Sequence, residues 1–310
     1  MILLPYPMNV APEPSSLLTL AMELAPQHGY NVTSLPNIRI LRSETILDDV
    51  PVLYRPGAVF VLQGAKQGFV NGEIYRYDAD HYLAVSVPVP FRMASQASPA
   101  HPLLAIYFDF DLHLAAEIVN TLEGQLGHDE KTRAKSLVSS PMMPPILDVL
   151  GRLLQALRNP QELAILGSGL LRELHYRILT GPQGGALVAA LRRNDTTDRI
   201  VQSLVMIREH YNDSLSVPSL AATAGMSVPS YHVGFKALTG STPIQYIKAL
   251  RLHEARLMIA RHRGPIATIA AEVGYASAAQ FSRDFKRHFR RNAREEAQWM
   301  REHLGETEQS

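Results

Sequence analysis

The chain of 310 residues contains no cysteine. That excludes disulfides, thiolate metal sites and a cysteine nucleophile, and it fits a reducing, cytoplasmic setting. No apolar run approaches the ~20 residues that a membrane span requires. The N-terminus opens Met-Ile-Leu-Leu, places three prolines in the first dozen positions and has no basic start, so it is not expected to be a signal peptide. Histidine pairs are missing too. His28, His81, His101 and His113 form no His-x-His motif, and Asp78, Asp80 and His81 fall where a turn is expected. A cupin-type iron or zinc site needs closely spaced histidines with a carboxylate, so no metal site is expected, and no motif calls for a cofactor.

A strong charge of either sign is also absent, since the formal net charge is only +1. Its distribution carries more than its sum. From Arg199 to Arg294 there are fourteen Lys or Arg against five Asp or Glu, a net of +9. From Met1 to Asn194 there are fifteen basic against seventeen acidic residues, a net of −2. Positive charge gathered in the last third is what phosphate binding requires. A set of solvated helix faces would give the same count, but this excess coincides with a repeat.

Residues 215 to 290 hold one pattern twice. Leu220-Ala221-Ala222-Thr223-Ala224-Gly225-Met226-Ser227 leads to Phe235-Lys236, and Ile269-Ala270-Ala271-Glu272-Val273-Gly274-Tyr275-Ala276-Ser277 leads to Phe285-Lys286. An internal repeat of this size means one supersecondary unit used twice. In each copy small residues let two helices cross closely. Gly225 or Gly274 can end the first helix in the left-handed region, and Ser227 or Ser277 can cap the second. Tyr231 and Phe235, or Phe281 and Phe285, recur at i, i+4 and face inward. Each copy therefore reads as a helix-turn-helix, whose second helix can enter a DNA major groove.

Across roughly a hundred residues this stretch resembles the paired helix-turn-helix domain of the AraC/XylS family of bacterial transcription regulators. The resemblance rests on Leu220-Ala221, Gly225-Met226-Ser227, Phe235-Lys236, Thr239-Gly240, Pro243, Tyr246-Ile247, Arg251-Leu252 and Ala255-Arg256. It continues through Ile269-Ala270, Val273-Gly274-Tyr275, Gln280-Phe281-Ser282-Arg283 and Phe285-Lys286.

The first half reads differently. Leu17 to Ala25 has helical apolar spacing, with Gly29 expected to end that helix. From Ile38 to Phe110 come short β-rich runs: Ile38 to Leu41, Val59 to Leu62, Phe69-Val70, Glu73 to Tyr77, Tyr82 to Val87 and Leu103 to Phe110. Asn71-Gly72 signals a hairpin, and strands at this spacing suggest a small barrel or sandwich. Helices follow over Leu112 to Leu126 and Ile146 to Leu157. A third, to about Thr180, is opened by Asn159, Pro160 and the capping-box residue Glu162. This half resembles the N-terminal module of one AraC-family branch, through Arg55-Pro56, Val61-Leu62-Gln63-Gly64, Tyr75-Arg76-Tyr77-Asp78, Tyr82 to Val87, Ala97-Ser98-Pro99, Arg172 to Leu179 and Gly181-Pro182-Gln183-Gly184. The resemblance implies a cupin-like barrel followed by helices. The broad apolar stripe of the third helix must in part cover the barrel, and in related regulators such helices also form the dimer interface, the two roles not being exclusive.

The expected fold is thus α+β: a cupin-like barrel with flanking helices over 1–184, a short linker over 185–198, an all-α DNA-binding domain over 199–304, and a disordered tail over 305–310. In the first reader, Val228, Pro229, Ser230, His232 and Val233 face outward. The family usually places a long polar residue where Val233 stands and a larger one where Gly234 stands. Val233 can touch a thymine methyl but donates no hydrogen bond, which leaves His232 as the strong donor. In the second, Ser277, Ala279, Gln280 and Arg283 lead, and the resemblance places Arg283 at a position that approaches bases. Arginine suits guanine and Gln280 suits adenine. Lys236, Arg261, Arg263, Lys286 and Arg287 are assigned to phosphates, while Arg256 is expected to be partly structural. The connecting helix from Pro243 to about Ala260, capped by Thr242, spans ~27 Å at ~1.5 Å per residue. With its flanking helices that approaches the ~34 Å of a DNA turn, so two readers can enter successive grooves. One departure stands out: after Phe289 the family has glycine, and this chain has Arg290.

The leading expectation is a regulator that binds double-stranded DNA and responds to a small-molecule effector in the barrel, with Phe60, Tyr75, Tyr77, Tyr82 and Tyr107 as candidate wall residues. The plainer reading of the same aromatics is ordinary core. RNA polymerase would be a partner if the chain is an activator, a homodimer could form through the N-terminal helices, and no membrane is involved. Alternatives are a constitutive DNA binder whose barrel only dimerises, and a cupin-type enzyme with a DNA-binding appendage. No residue commits the chain to activation over repression.

Overall fold

The computed structural model describes residues 14–70, 72–122, 134–191 and 196–304. The N-terminal arm before residue 14, Asn71 of the hairpin turn, 123–133, 192–195 of the linker and the tail 305–310 lie outside the described residues. Helix α1 (Pro14–Leu24) stops before Gly29, which opens the first strand at φ 96° instead of ending the helix. Ten strands then follow: β1 (Gly29–Val32), β2 (Ile38–Ser43), β3 (Leu47–Leu53), β4 (Gly57–Gln63), β5 (Ala65–Val70), β6 (Glu73–Asp78), β7 (His81–Val85), β8 (Pro90–Gln96), β9 (Leu103–Asp109) and β10 (Leu137–Pro141). They form two antiparallel sheets, β1-β2-β9-β4-β7-β10 and β3-β8-β5-β6.

Strand parity decides which core each side chain enters. On β9, Leu103, Ala105 and Tyr107 face the space between the sheets, while Leu104, Ile106 and Phe108 face helices on the other side. Both faces of the larger sheet are therefore dry, and this explains why Leu103 to Phe108 is apolar without alternation. The outer layer is α1 with α2 (Leu112–Thr121), α3 (Pro144–Leu157) and α4 (Pro160–Leu179), followed by α5 (Gly184–Leu191). Asn159 caps α4 by accepting from the Gln161 and Glu162 amides. The reciprocal half of the expected capping box is pre-empted, because the Asn159 amide already donates to Ala156 O at 3.0 Å.

The C-terminal domain is α6 (Thr196–Glu209), α7 (Val217–Thr223), α8 (Val228–Thr239), α9 (Pro243–Ala260), α10 (Ile266–Glu272), α11 (Ala278–Phe289) and α12 (Ala293–Leu304). The pairs α7–α8 and α10–α11 are the two repeats. Gly225 and Gly274 take φ of 59° and 84° in their turns. A Cβ on Gly274 would lie 2.5 Å from Asn212 O, so no other residue fits there without backbone movement. Thr242 and Gln245 close a complete capping box on α9.

One side chain on α9 joins the repeats. Arg251 donates from Nε to Tyr211 O (2.6 Å), from Nη2 to Asp213 O (2.7 Å) and from Nη1 to Gly274 O (2.9 Å). The first two carbonyls lie just before α7, and the third is in the turn before α11. A planar guanidinium therefore pins the two units at one separation, and burial lowers its pKa from the usual arginine value.

The helical domain also sits on the barrel. Tyr246 OH donates to Pro88 O at 2.9 Å, and Arg256 Nη1 donates to Pro51 O at 3.3 Å. Arg290, which stands where the family has glycine, ends α11 at φ 61°. Its guanidinium lies 2.9 Å from the carboxylate of Asp49 on the barrel. Asp49 is itself left-handed (φ 51°), at the irregularity between Leu47 and Val50 in β3, and is also gripped by Arg92. The departure from glycine thus has a counterpart on the other domain.

Two outcomes follow for stability. Arg251→Ala strands three carbonyls and should lower the unfolding free energy by about 2–4 kcal/mol in a urea titration. Arg290→Gly relieves the left-handed backbone and Arg290→Ala does not. The alanine variant should be less stable than the glycine variant by about 1 kcal/mol, although both lose the ion pair.

Candidate DNA-reading surface and interdomain cavity

From the serine cap onward the repeats correspond at an offset of fifty, and their first helices and turn glycines at forty-nine. Ser227 accepts from the Ser230 amide, and Ser277 accepts from the Gln280 amide in the same way. In α8, Tyr231 and Phe235 are buried, and in α11, Phe281, Phe285 and Phe289 are buried. The opposite faces are open: Pro229, Ser230, Val233 and Lys236 on α8, and Ala279, Gln280, Arg283 and Lys286 on α11. His232 is half-buried, whereas its counterpart Ser282 is exposed. Ser277 is exposed at the tip of α11.

Position 234 is not a reading position. A Cβ there would contact Ile200 at 3.5 Å, so Gly234 faces α6. Its counterpart Asp284 is likewise buried, paired to Lys248 at 3.3 Å and to Arg287. Arg287 keeps most of its side chain in solvent despite that pair.

The basic residues of the connecting region divide. Arg256 is structural: its side chain is 7% exposed, it pairs with Glu296 at 2.6 Å, and its guanidinium stacks 4.9 Å from the Phe289 ring. Arg263 is exposed beyond α9, whereas Arg261, at the C-cap of α9, lines a cavity on the barrel side.

That cavity, about 390 Å³, is walled by both domains. Leu41, Val50, Val59 and Met93 supply apolar barrel wall, and Tyr246, Leu250, His253 and Arg256 close it from the helical side. Its polar lining includes Arg39, Arg55, Asp109, Glu254 and Lys66 on β5, of which Lys66 is 1% exposed. Lys66 Nζ donates to Tyr107 OH at 2.6 Å and lies 5.8 Å and 6.0 Å from the rings of Tyr54 and Tyr77. Among the described residues no carboxylate pairs with it, and burial pulls its pKa down to about 7. Burial also pushes the Tyr54, Tyr77 and Tyr107 hydroxyls well above the usual tyrosine range. The basic side chains Arg39 and Arg55 nearby share Asp109, at 3.1 and 3.5 Å.

Of the aromatics expected as pocket wall, Tyr107 alone lines this cavity. Tyr77 is in the same inner core, hydrogen-bonded to Tyr54 OH at 3.3 Å, but does not reach the cavity surface. Phe60 and Tyr82 have the opposite strand parity. They stack on each other at 5.2 Å within the helix-covered core. Tyr75 lies partly exposed and donates to Glu73 at 2.7 Å. Lys66 escaped notice because Ala65-Lys66-Gln67-Gly68 looks too polar for a barrel interior. The available signal was parity, since Lys66 shares a face with Gly68 and Val70. Among the described residues, no three His, Asp or Glu side chains group as a metal-binding set. No described helix is long and apolar enough to cross a membrane.

Comparison with known proteins agrees with this geometry. Residues 34–186 match the family model of the AraC-type transcriptional regulator N-terminus, and residues 220–298 match a helix-turn-helix domain model. The chain is 26% identical over 159 residues to the HTH-type transcriptional activator RhaS of Enterobacter sp. (strain 638), covering 51% of this chain and 55% of that protein. It is 36% identical over 90 residues to the RCS-specific HTH-type transcriptional activator RclR of Escherichia coli (strain K12), covering 29% and 31%. The chain thus spans about half, or less, of the length of these curated relatives. Among solved structures, apo ToxT of Vibrio cholerae superposes with a TM-score of 0.56 at 13% identity, over 86% of this chain and 98% of that one. ToxT with a bound unsaturated fatty acid gives 0.54 at 14%, over 87% and 97%. At such identity the likeness is one of fold. Together, the two family models in order along the chain, the paired capped helices and the barrel place this protein in the AraC/XylS family of transcription regulators, in the branch with the AraC-type N-terminal domain.

Proposed function

We propose that this regulator reads DNA with α8 and α11 in successive major grooves, and that an acidic small molecule with an apolar body, held in the interdomain cavity, sets its DNA affinity. The observation that carries the effector reading is the shared wall. A ligand that touches barrel and helical domain at once binds differently to docked and undocked arrangements, and only such a difference can shift the balance between them. Lys66 supports the acidic class, because it is a buried amine with which no carboxylate pairs among the described residues. ToxT, of the same fold, has been crystallised with an unsaturated fatty acid, which also supports an acid.

Within the same reading, Ser230, His232, Val233, Ser277, Ala279, Gln280 and Arg283 face the bases, and Lys236, Arg263, Lys286 and Arg287 face phosphates. Arg261, given its place beside the cavity, serves the ligand site or the backbone of the DNA. Ile165, 78% exposed on α4, supports pairing of two subunits through that helix. The curated relatives are named activators, which favours activation through RNA polymerase in the cytoplasm.

The DNA reading is tested by fluorescence anisotropy of the full-length protein on DNA flanking its own gene, across a salt series. Saturable binding that Arg283→Ala weakens by about 1–3 kcal/mol on the best fragment, and far less on scrambled DNA, is expected. Equal, steeply salt-dependent binding to every fragment would refute it.

The effector reading is tested with oleic acid and, as a neutral control, oleyl alcohol, both below micelle-forming concentrations. The acid should raise the melting temperature and change operator affinity, and Lys66→Met should abolish the difference between the two compounds. Binding should also take up a proton. Near pH 8 the buried amine of Lys66, held at about 7, is largely neutral in the free protein. Pairing with a carboxylate restores its charge, so calorimetric heats should differ between buffers of different ionisation enthalpy in the direction of proton uptake. No uptake, or equal action of acid and alcohol, would refute the acidic class.

A further inference from the structure

The two readers are the same tool with different tips. The exposed stripe on α8 is Pro229, Val233, Lys236, and the register-matched stripe on α11 is Ala279, Arg283, Lys286. Both helices carry the same serine cap and the same lysine, and both bury an aromatic at 231 or 281 and at 235 or 285. Val233 and Arg283 therefore hold the same position on their respective helices.

Val233 is 73% exposed, more than any other large apolar residue among the described residues of the helical domain. The fold does not need it there, because the inner face of α8 is already filled by Tyr231, Phe235 and Leu238. The only atoms it offers are methyl groups. Among its neighbours, Ser230 Oγ accepts from Ser227 Oγ at 2.9 Å and keeps its own O–H, Pro229 has no donor, and His232 is half-buried. In the major groove the one base-pair feature that rewards a methyl is the C5-methyl of thymine.

We propose that Val233 is a specificity-determining residue that selects thymine by its C5-methyl, so that the operator is chemically split: a methyl-read half-site under α8 and a guanine-containing half-site under Arg283. This rests on the reading of the chain as a sequence-specific regulator. It accounts for the absence of a long polar side chain at 233 without making the first reader inert. The first helix-turn-helix contributes shape and methyl contact, and the second contributes hydrogen bonds.

The test begins with selection of an operator from a random duplex pool by the full-length protein. Each thymine is then replaced singly by deoxyuridine, which removes only the methyl, and the dissociation constant is measured by anisotropy. At one or two thymines in a single half-site, methyl loss should weaken binding by about three- to fivefold, the scale of one buried methyl group. Val233→Ala should abolish that sensitivity, Val233→Thr, which keeps one methyl, should retain part of it, and Arg283→Ala should leave it unchanged. Because Val233 is exposed, these variants are expected to fold, which circular dichroism checks directly. A selected operator in which no thymine is sensitive to methyl loss overturns the proposal. So does sensitivity that persists in full in Val233→Ala, which would assign the thymine to another residue such as His232. If selection enriches no sequence at all, the regulator reading itself fails and this inference fails with it.

Discussion

The contact on which the arrangement depends is the fork of Arg251. A single guanidinium takes carbonyls from the segment leading into the first helix-turn-helix and from the turn of the second. Reading two grooves needs a fixed separation between two helices, and a packed helix such as α9 supplies length but not angle. Three donors in one plane supply the angle. The glycine beside the fork follows from the same geometry, because at Gly274 a side chain would meet Asn212 O and the guanidinium itself. The repeat is therefore one rigid body made from two copies, and its lysines and reading positions inherit their placement from that body.

The barrel docks on this body. Asp49 and Arg290, both left-handed, face each other across the domain boundary, and Tyr246 and Arg256 bond to barrel carbonyls beside them. Local backbone strain on both partners is tolerated because the surrounding contacts over-determine it. The cavity that Lys66 lines opens along the same boundary. Among the described residues no carboxylate pairs with this buried amine, and burial alone disfavours its charged form. Cavity and docking thus share residues: Arg256 closes the cavity, supports α11 through Phe289 and bonds to Pro51 O.

Much of the C-terminal domain was legible in the sequence because its signals are local. Caps at Ser227, Thr242 and Ser277 and turn glycines at 225 and 274 each act within a few residues, and the structure has them in those roles. The barrel was harder. β3 carries Asp48, Asp49 and Pro51, and β8 mixes Arg92, Ser95 and Gln96 with its buried residues, so neither looks like a strand until its partner is in place. The larger sheet is covered on both sides, which erases the alternation that would have told Phe60 and Tyr82 from the cavity-facing residues. Lys66 was hard to read for another reason: beyond its strand parity, its meaning lies in tyrosines brought from three other segments and in its having no carboxylate partner among the described residues, and neither is a sequence pattern. Arg290 was marked as a departure from the family, but its partner Asp49 lies some 240 positions away, on the other domain.

The central claim is that two helices, rigidly joined, read one operator in successive grooves. Its most direct test is to insert five base pairs between the half-sites of a selected operator and to measure full-length protein binding by anisotropy. Half a helical turn puts the second half-site on the far face of the duplex. The account predicts that affinity falls to that of scrambled DNA and returns only partly when ten base pairs are inserted, since the body cannot stretch. Affinity that is unchanged by the five-base-pair insertion would contradict it, because the two readers would then be acting independently.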